Sequence, residues 1–300
     1  MLSSRLLWLL VVAAVPCAAL HAEEEAIPEA AQPFMGCWKC DKQPEVLLYF
    51  QPQRLVVSNR GRVTVLPVRY EPGKMILGQG AQAELTEVAF KDGKLTLKAE
   101  EGELVEYRSV TPVPEEVLLK PMEFGKTTPS AEKIKEIRSE LAMRIVEDQA
   151  VRTDASRRKD MGKVDADNTA YLTKLVKEYG WIDATRFTER AADNAFLIVQ
   201  HSGNIPLMQA ALPAIEKDLK SGAMKDPQDY ALLYDRLCLT LGGKQRYGTQ
   251  ILEDEKGLCV LPLEEPSKVE QRRKEIGLYP LSQYLKMFER SGQKVRMPAE

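Results

Sequence analysis

Residues 84–98 read ELTEVAFKDGKLTLK. Two β-rich runs, Glu84–Phe90 and Leu95–Lys98, flank Asp92-Gly93. Asp-Gly between such runs is a strong hairpin signal, because the tight two-residue turn needs φ > 0 at its centre. The same pattern extends outward on both sides. Val46–Phe50, Arg54–Val57, Val63–Tyr70, Met75–Leu77 and Leu104–Arg108 also read as strands, with turn chemistry at Asn59-Arg60-Gly61 and Pro72-Gly73. Seven short strands at this spacing predict a small antiparallel β barrel or sandwich over residues 34–110. A barrel of this size is filled by its own side chains, which favours a packing or docking module over a ligand carrier.

Beyond the β region the period changes. Residues 111–128 carry Pro112, Pro114 and Pro121 and read as a linker. A mainly α-helical domain is expected over 129–290, making the chain α+β. Its first helix runs to Thr153, with Thr128 as cap and Pro129 as first residue. Others cover Ala166–Tyr179 (capped by Asp165), Arg186–Ser202, a stretch from Asn204 to Gly222 interrupted at Pro213, and one from Asp226-Pro227 to Gly242. A short β-hairpin, Thr249–Glu253 with Leu258–Leu263, precedes two short helices after Pro266 and Pro280.

The start of the chain reads differently. Arg5, the apolar run Leu6–Leu20 and the small Ala22 before Glu23-Glu24-Glu25 form a secretory signal over residues 1–22. The run falls short of the roughly 20 apolar residues of a membrane span, so no stable span is expected after cleavage. Cys17 follows Pro16, a poor setting for lipid modification, and Glu23–Pro33 reads as an acidic, Ala/Pro-rich leader. The protein is therefore expected to be exported, periplasmic or extracellular. The net charge of −2, with acids and bases interspersed, excludes the basic footprint of a nucleic-acid binder.

Export also governs the cysteines. Cys37, Cys40, Cys238 and Cys259 are an even set for an oxidising compartment; of the three possible pairings, Cys37–Cys40 with Cys238–Cys259 is the one local to each domain. Cys37-Trp38-Lys39-Cys40 lacks the following helix that a redox pair uses. Zinc would need two further ligands.

Candidate functional residues come from polar side chains on apolar helix faces. Ile134, Ile137, Leu141 and Ile145 form one stripe. At about 100° per residue, Arg152 falls on the azimuth of Ile134, with Asp148 about 40° away. Asn168 shares a face with Leu172, Leu175 and Tyr179. A nearly all-apolar helix ends in Gln200-His201, and another surrounds Asp235-Arg236 with Tyr230, Leu232, Leu233, Tyr234, Leu237 and Leu239. A buried polar group without a partner costs about 1–3 kcal/mol, so these groups must meet one another, water or a ligand. Gln245, Tyr247, Thr249, Gln250, Arg272 and Arg273 offer further partners.

His201 is the one histidine after residue 22, hence the single His candidate for general acid–base chemistry, with Asp235 or Asp148 to orient it. No His-paired metal site is expected. No cofactor is implied either, since no phosphate loop, dinucleotide fingerprint or Gly-x-Ser-x-Gly elbow occurs. The expected partner is a small polar ligand (carboxylate, phosphate or sugar-like) or, in a scaffold reading, another envelope protein.

Two resemblances add to this. Gly36-Cys37-Trp38 resembles the opening of a lipocalin-like barrel. From about Glu140 to Phe288 the chain resembles an uncharacterised bacterial family, catalogued only as a domain of unknown function. The matching residues are Asp148-Gln149 with Arg152, Asp167-Asn168, Tyr179-Gly180-Trp181, Ile198-Val199-Gln200-His201, Asp235-Arg236, Gln245 with Tyr247-Gly248-Thr249-Gln250, and Arg272-Arg273 before Gly277-Leu278. Ile182 stands where the family usually has Pro, and Ser202-Gly203 where it carries an acid. The resemblance implies a mainly helical domain and no catalytic assignment.

Overall fold

The computed structural model describes residues 27, 29–59, 62–78, 84–98, 103–224, 226–254, 256–289 and 294–298. The expected signal sequence, most of the leader and the Arg60-Gly61 turn lie outside these residues. An N-terminal antiparallel barrel precedes a mainly helical region with one two-stranded hairpin.

The barrel is closed and its eight strands follow sequence order: β1 (Gly36–Cys40), β2 (Gln43–Phe50), β3 (Arg54–Asn59), β4 (Arg62–Glu71), β5 (Lys74–Leu77), β6 (Glu84–Lys91), β7 (Lys94–Lys98) and β8 (Leu104–Val110). The expected hairpin forms, with Lys91 opposite Lys94 across Asp92-Gly93 and φ positive at both turn residues. Seven strands were expected. The eighth, β1, closes the cylinder by pairing with β2 on one side and β8 on the other.

Side chains fill the interior in strict alternation. Leu48 and Phe50 point inward from β2, Leu66, Val68 and Tyr70 from β4, and Leu95 and Leu97 from β7. A 3-10 turn, Glu29–Phe34, adds Ala31 and Phe34 to this core, and Trp38 Nε1 donates to Phe34 O at 2.7 Å. On the opposite face Leu47, Val56 and Val65 are also buried. A second 3-10 turn, Glu115–Val117, packs against β3 there.

The cysteines correct the pairing expected from sequence. Trp38 and Cys40 belong to the interior core, whereas Cys37 projects from the other face. Neither local disulfide is formed: Cys37, Cys40 and Cys259 are free thiols. Burial pushes the Cys37 thiol above its ordinary value, which makes it a poor nucleophile.

Helices α1 (Ala131–Thr153), α2 (Met161–Tyr179), α3 (Glu189–Ser202), α4 (Ile205–Ser221) and α5 (Pro227–Thr240) follow. Their starts differ from expectation where two capping residues compete. Ser130, not Thr128, caps α1 by accepting from Lys133 N. Asp165 is not a cap: a 3-10 turn, Ala155–Asp160, leads straight into α2 and places Asp165 one turn inside it. Thr188 caps α3, so that helix begins three residues later than Arg186. Asn204 caps α4 as its Oδ1 accepts from Leu207 N at 3.0 Å, and α4 continues through Pro213 without a break. Strands β9 (Ile251–Asp254) and β10 (Gly257–Val260), then α6 (Val269–Glu275) and α7 (Leu281–Lys286), complete the order.

Residues 120–128, expected as a linker, form an extended strap. Gly125 N donates to Val176 O, which also accepts from Gly180 N at the helix cap, and Thr127 N donates to Glu178 O in the last turn of α2. A Cβ on Gly125 would collide with the carbonyls of Lys177 and Glu178, so the strap lies this close only with glycine there.

Two compact units emerge. One holds the chain to Leu119 together with Asp235–Glu275 and the residues from Tyr279 onward; the other holds Lys120–Tyr234 and Ile276–Leu278.

Candidate functional site

In the unit built on α1 to α4, three helices bring five charged or titratable side chains together. α1 carries Arg144, Asp148 and Arg152, one helical turn apart and so on one face. α2 presents Asp165 and Asn168, and α3 carries Gln200 and His201 in its last turn. Arg152 Nη2 reaches Asp165 Oδ1 at 2.5 Å and Asp148 Oδ1 at 3.3 Å. Arg144 Nη1 donates to Asn168 Oδ1 at 3.2 Å, with its guanidinium over the Tyr171 ring. Successive pairs step back along α1 as they step forward along α2, as in an antiparallel helical hairpin.

Asp148 is fully buried and His201 is half-buried. Nδ1 of His201 lies 3.1 Å from Asp148 Oδ2 and 3.2 Å from Oδ1. Arg152 Nε donates to the same Nδ1 at 3.1 Å. Burial opposes the charge on Asp148, yet the hydrogen bond with His201, then Arg152 and Gln149, outweigh it and hold the carboxyl below its ordinary value. Gln149 contributes through Nε2, which donates to Asp148 Oδ2 at 2.8 Å.

Several polar atoms around this cluster are buried without a hydrogen-bond partner among the described residues: Arg152 Nη1, Asn168 Nδ2 and Gln200 Oε1. Asn168 and Gln200 are 3% and 5% exposed, so bulk water does not substitute. No described residue hydrogen-bonds Nε2 of His201. Ligand-type atoms of Asp148, Asp165 and His201 lie within 4.8 Å of one another, a spacing at which a metal ion could be held, which the count of histidines alone did not suggest. Arg152 already supplies positive charge to both carboxylates there.

The other candidate residues stand in the second unit and have a different role. Asp235 is fully buried and accepts four hydrogen bonds: Oδ1 from Arg246 N (2.7 Å) and Tyr247 N (2.9 Å), Oδ2 from Thr249 N and Thr249 Oγ1 (both 2.9 Å). Burial pushes this carboxyl upward, and those four donors work against the shift. Gln245 holds the same loop from beneath. Its Nε2 donates to Gln250 O and Leu261 O, and its Oε1 accepts from Gln250 N. Arg273 donates to Tyr247 O and Tyr279 O, and Arg272 to Glu264 O and Glu265 Oε1. Gly248 has φ +75, and a Cβ there would press on Leu281 and Leu263. Arg236 is half-buried on α5, and Gln250 Nε2 donates to Thr249 Oγ1.

Asp235, expected as one of two partners for His201, thus has its carboxylate occupied by its own loop, and Asp148 is the acid at the imidazole. Sequence reading missed Asp165 and Arg144. Asp165 stands three residues before Asn168 on one face of α2, a spacing that could have flagged it; as a presumed cap it was set aside. A surface groove of about 660 Å³ between the strap and α2, lined by Lys126, Lys174 and Lys177 among others, shares no residue with the His201 cluster.

Among the described residues no helix is long and apolar enough to cross a membrane. Searches of curated proteins and of solved structures return no match. Residues 132–296 match a family of unknown function (DUF6624), more than half of the chain and with every candidate residue above inside the matched span. The chain belongs to this family of unknown function, DUF6624.

Proposed function

We propose that this exported protein binds a small, polar, uncharged ligand at the His201 end of α3 and can exchange a proton with it. One observation carries the reading: His201 has Nδ1 braced by a buried carboxylate and Nε2 without a partner among the described residues, on a side chain one-fifth exposed. That is the arrangement of a general acid–base imidazole, oriented from behind and open in front. Arg152 Nη1, Asn168 Nδ2 and Gln200 Oε1, buried on the same three helices without partners among the described residues, offer donors and an acceptor. Left bare, each costs about 1–3 kcal/mol, so a bound molecule that meets them is favoured.

Charge narrows the class. Asp148 and Asp165 against Arg152 leave the cluster negative, which disfavours carboxylate or phosphate and favours a sugar-like or other hydroxyl-bearing molecule. No described Ser, Thr or Cys hydrogen-bonds His201, so water or a ligand hydroxyl is the group it would act on. Export rests on the signal-like residues 1–22.

Thermal-shift and saturation-transfer NMR screens of neutral polyols, carboxylates and phosphates, on the parent and on His201→Ala, test the reading. A polyol that raises Tm of the parent and not of the variant supports it. A panel that leaves the parent unchanged, or shifts both proteins equally, removes it; anions binding in preference to polyols refute the charge argument.

A further inference from the structure

Nδ1 of His201 has two partners with opposite requirements. Arg152 Nε–H, at 3.1 Å, needs a lone pair on that nitrogen. The Asp148 carboxylate, at 3.1 Å, needs a proton on it. A neutral imidazole carries its proton on one nitrogen or the other, so a single Nδ1 satisfies one neighbour at a time. With Nδ1–H bonded to Asp148, Nε2 presents a lone pair. With Nδ1 accepting from Arg152, Nε2 presents N–H.

We infer that Arg152 is a positioning residue that keeps His201 balanced between its two neutral tautomers, with Asp148 pulling the other way. Most buried histidines have their tautomer fixed by one hydrogen bond on the rear nitrogen. Here the rear nitrogen faces a donor and an acceptor at equal range, and both come from α1, one turn apart. Asp165 anchors the Arg152 end of the contest, since Arg152 Nη2 donates to its Oδ1 at 2.5 Å. Tyr171 and Glu140 hold Arg144 instead and leave Arg152 to this task.

The consequence for the ligand follows from Nε2. A group that only accepts hydrogen bonds selects one tautomer, and a group that only donates selects the other. A hydroxyl or a water does both, and is served by either tautomer without rearrangement of the helices. This deepens the reading above and rests on it for the ligand class; the tautomer balance itself needs no ligand.

The test is ¹⁵N NMR of the imidazole in the full-length protein labelled at histidine. His201→Ala assigns the signals, because the chain has one other histidine, His21. In the parent, Nδ1 and Nε2 are expected at averaged positions between protonated and bare nitrogen. Arg152→Met removes the donor and should move His201 to the Nδ1–H form. Asp148→Asn weakens the acceptor and should move it the opposite way. A parent locked in one tautomer, or with both nitrogens protonated at neutral pH, overturns the inference by itself, even if a variant fails to fold. So does a folded Arg152→Met whose signals match the parent. If the tautomers respond while the ligand screen stays silent, the balance stands and the ligand reading falls.

Discussion

Asp148 shows most plainly what a single residue does here. It is buried, touches His201, Arg152 and Gln149, and has its carboxyl held below the ordinary value. Removing its charge leaves Arg152 short of a partner, so Asp148→Asn should cost about 3 kcal/mol at pH 7 by urea denaturation. The pH dependence has a definite sign. A carboxyl whose folded pKa lies below its unfolded one contributes stability above the unfolded pKa, and that contribution disappears as pH falls through the folded value. The parent should therefore lose stability on acidification below about pH 4 more steeply than Asp148→Asn. Parallel slopes for the two proteins would mean Asp148 carries no such linkage. Part of this was legible beforehand, because Asp148, Arg152 and His201 interrupt apolar stripes. Asp165 was not, since the same residue type also serves as a helix cap.

Among the elements, α5 and the loop after it make two further predictions. Asp229 sits in the first turn of α5, where burial, then the charges of Asp226 and Asp193, push its carboxyl up to about 7. A raised acid works oppositely to Asp148: its stability contribution is complete below the unfolded value and is lost as pH rises towards the folded one. Between pH 4 and pH 7 Asp229→Asn should flatten a decline that the parent shows in Tm. An unchanged profile would mean the group titrates normally. Gly248 allows the 245–250 loop to close over Asp235, and Gly248→Ala should destabilise by about 1–3 kcal/mol through its positive φ and the press against Leu281. Stability equal to the parent's would show that the loop relaxes. Sequence reading identified Asp235 as a polar group among apolar neighbours, with Gln245 and Thr249 as loop residues able to partner it. Their partners are backbone N–H and C=O groups of their own neighbourhood, which carry no residue-specific signature.

For the whole molecule, the α+β order was readable because turn residues punctuate the β region and 3.6-residue periodicity takes over after it. Strand β1 escaped, since Gly36-Cys-Trp-Lys-Cys40 attracts attention as a cysteine motif and becomes a strand through pairing with β2 and β8. The grouping of Asp235–Glu275 with the barrel residues is equally invisible locally, because compactness is decided by contacts distant in sequence. Asp235 has a global weight as a result. It organises the loop that Arg273 and Tyr284 also grip, Tyr284 by donating its hydroxyl to Thr249 O at 2.9 Å. Asp235→Ala strands four donors at once, and should lower stability by more than about 3 kcal/mol. Calorimetry showing a smaller loss would mean water enters and replaces the carboxylate.

The stoppered cylinder of the N-terminal region has one more implication. Phe34 stacks on Tyr70, and Ala31, Trp38 and Tyr107 occupy the lumen that a carrier would leave for cargo. A greasy dye such as a naphthalene sulfonate should therefore fluoresce no more brightly with the folded protein than with an ordinary packed enzyme. Vesicle-borne fatty acids should likewise find no berth inside these eight strands, however much their outline suggests a cup.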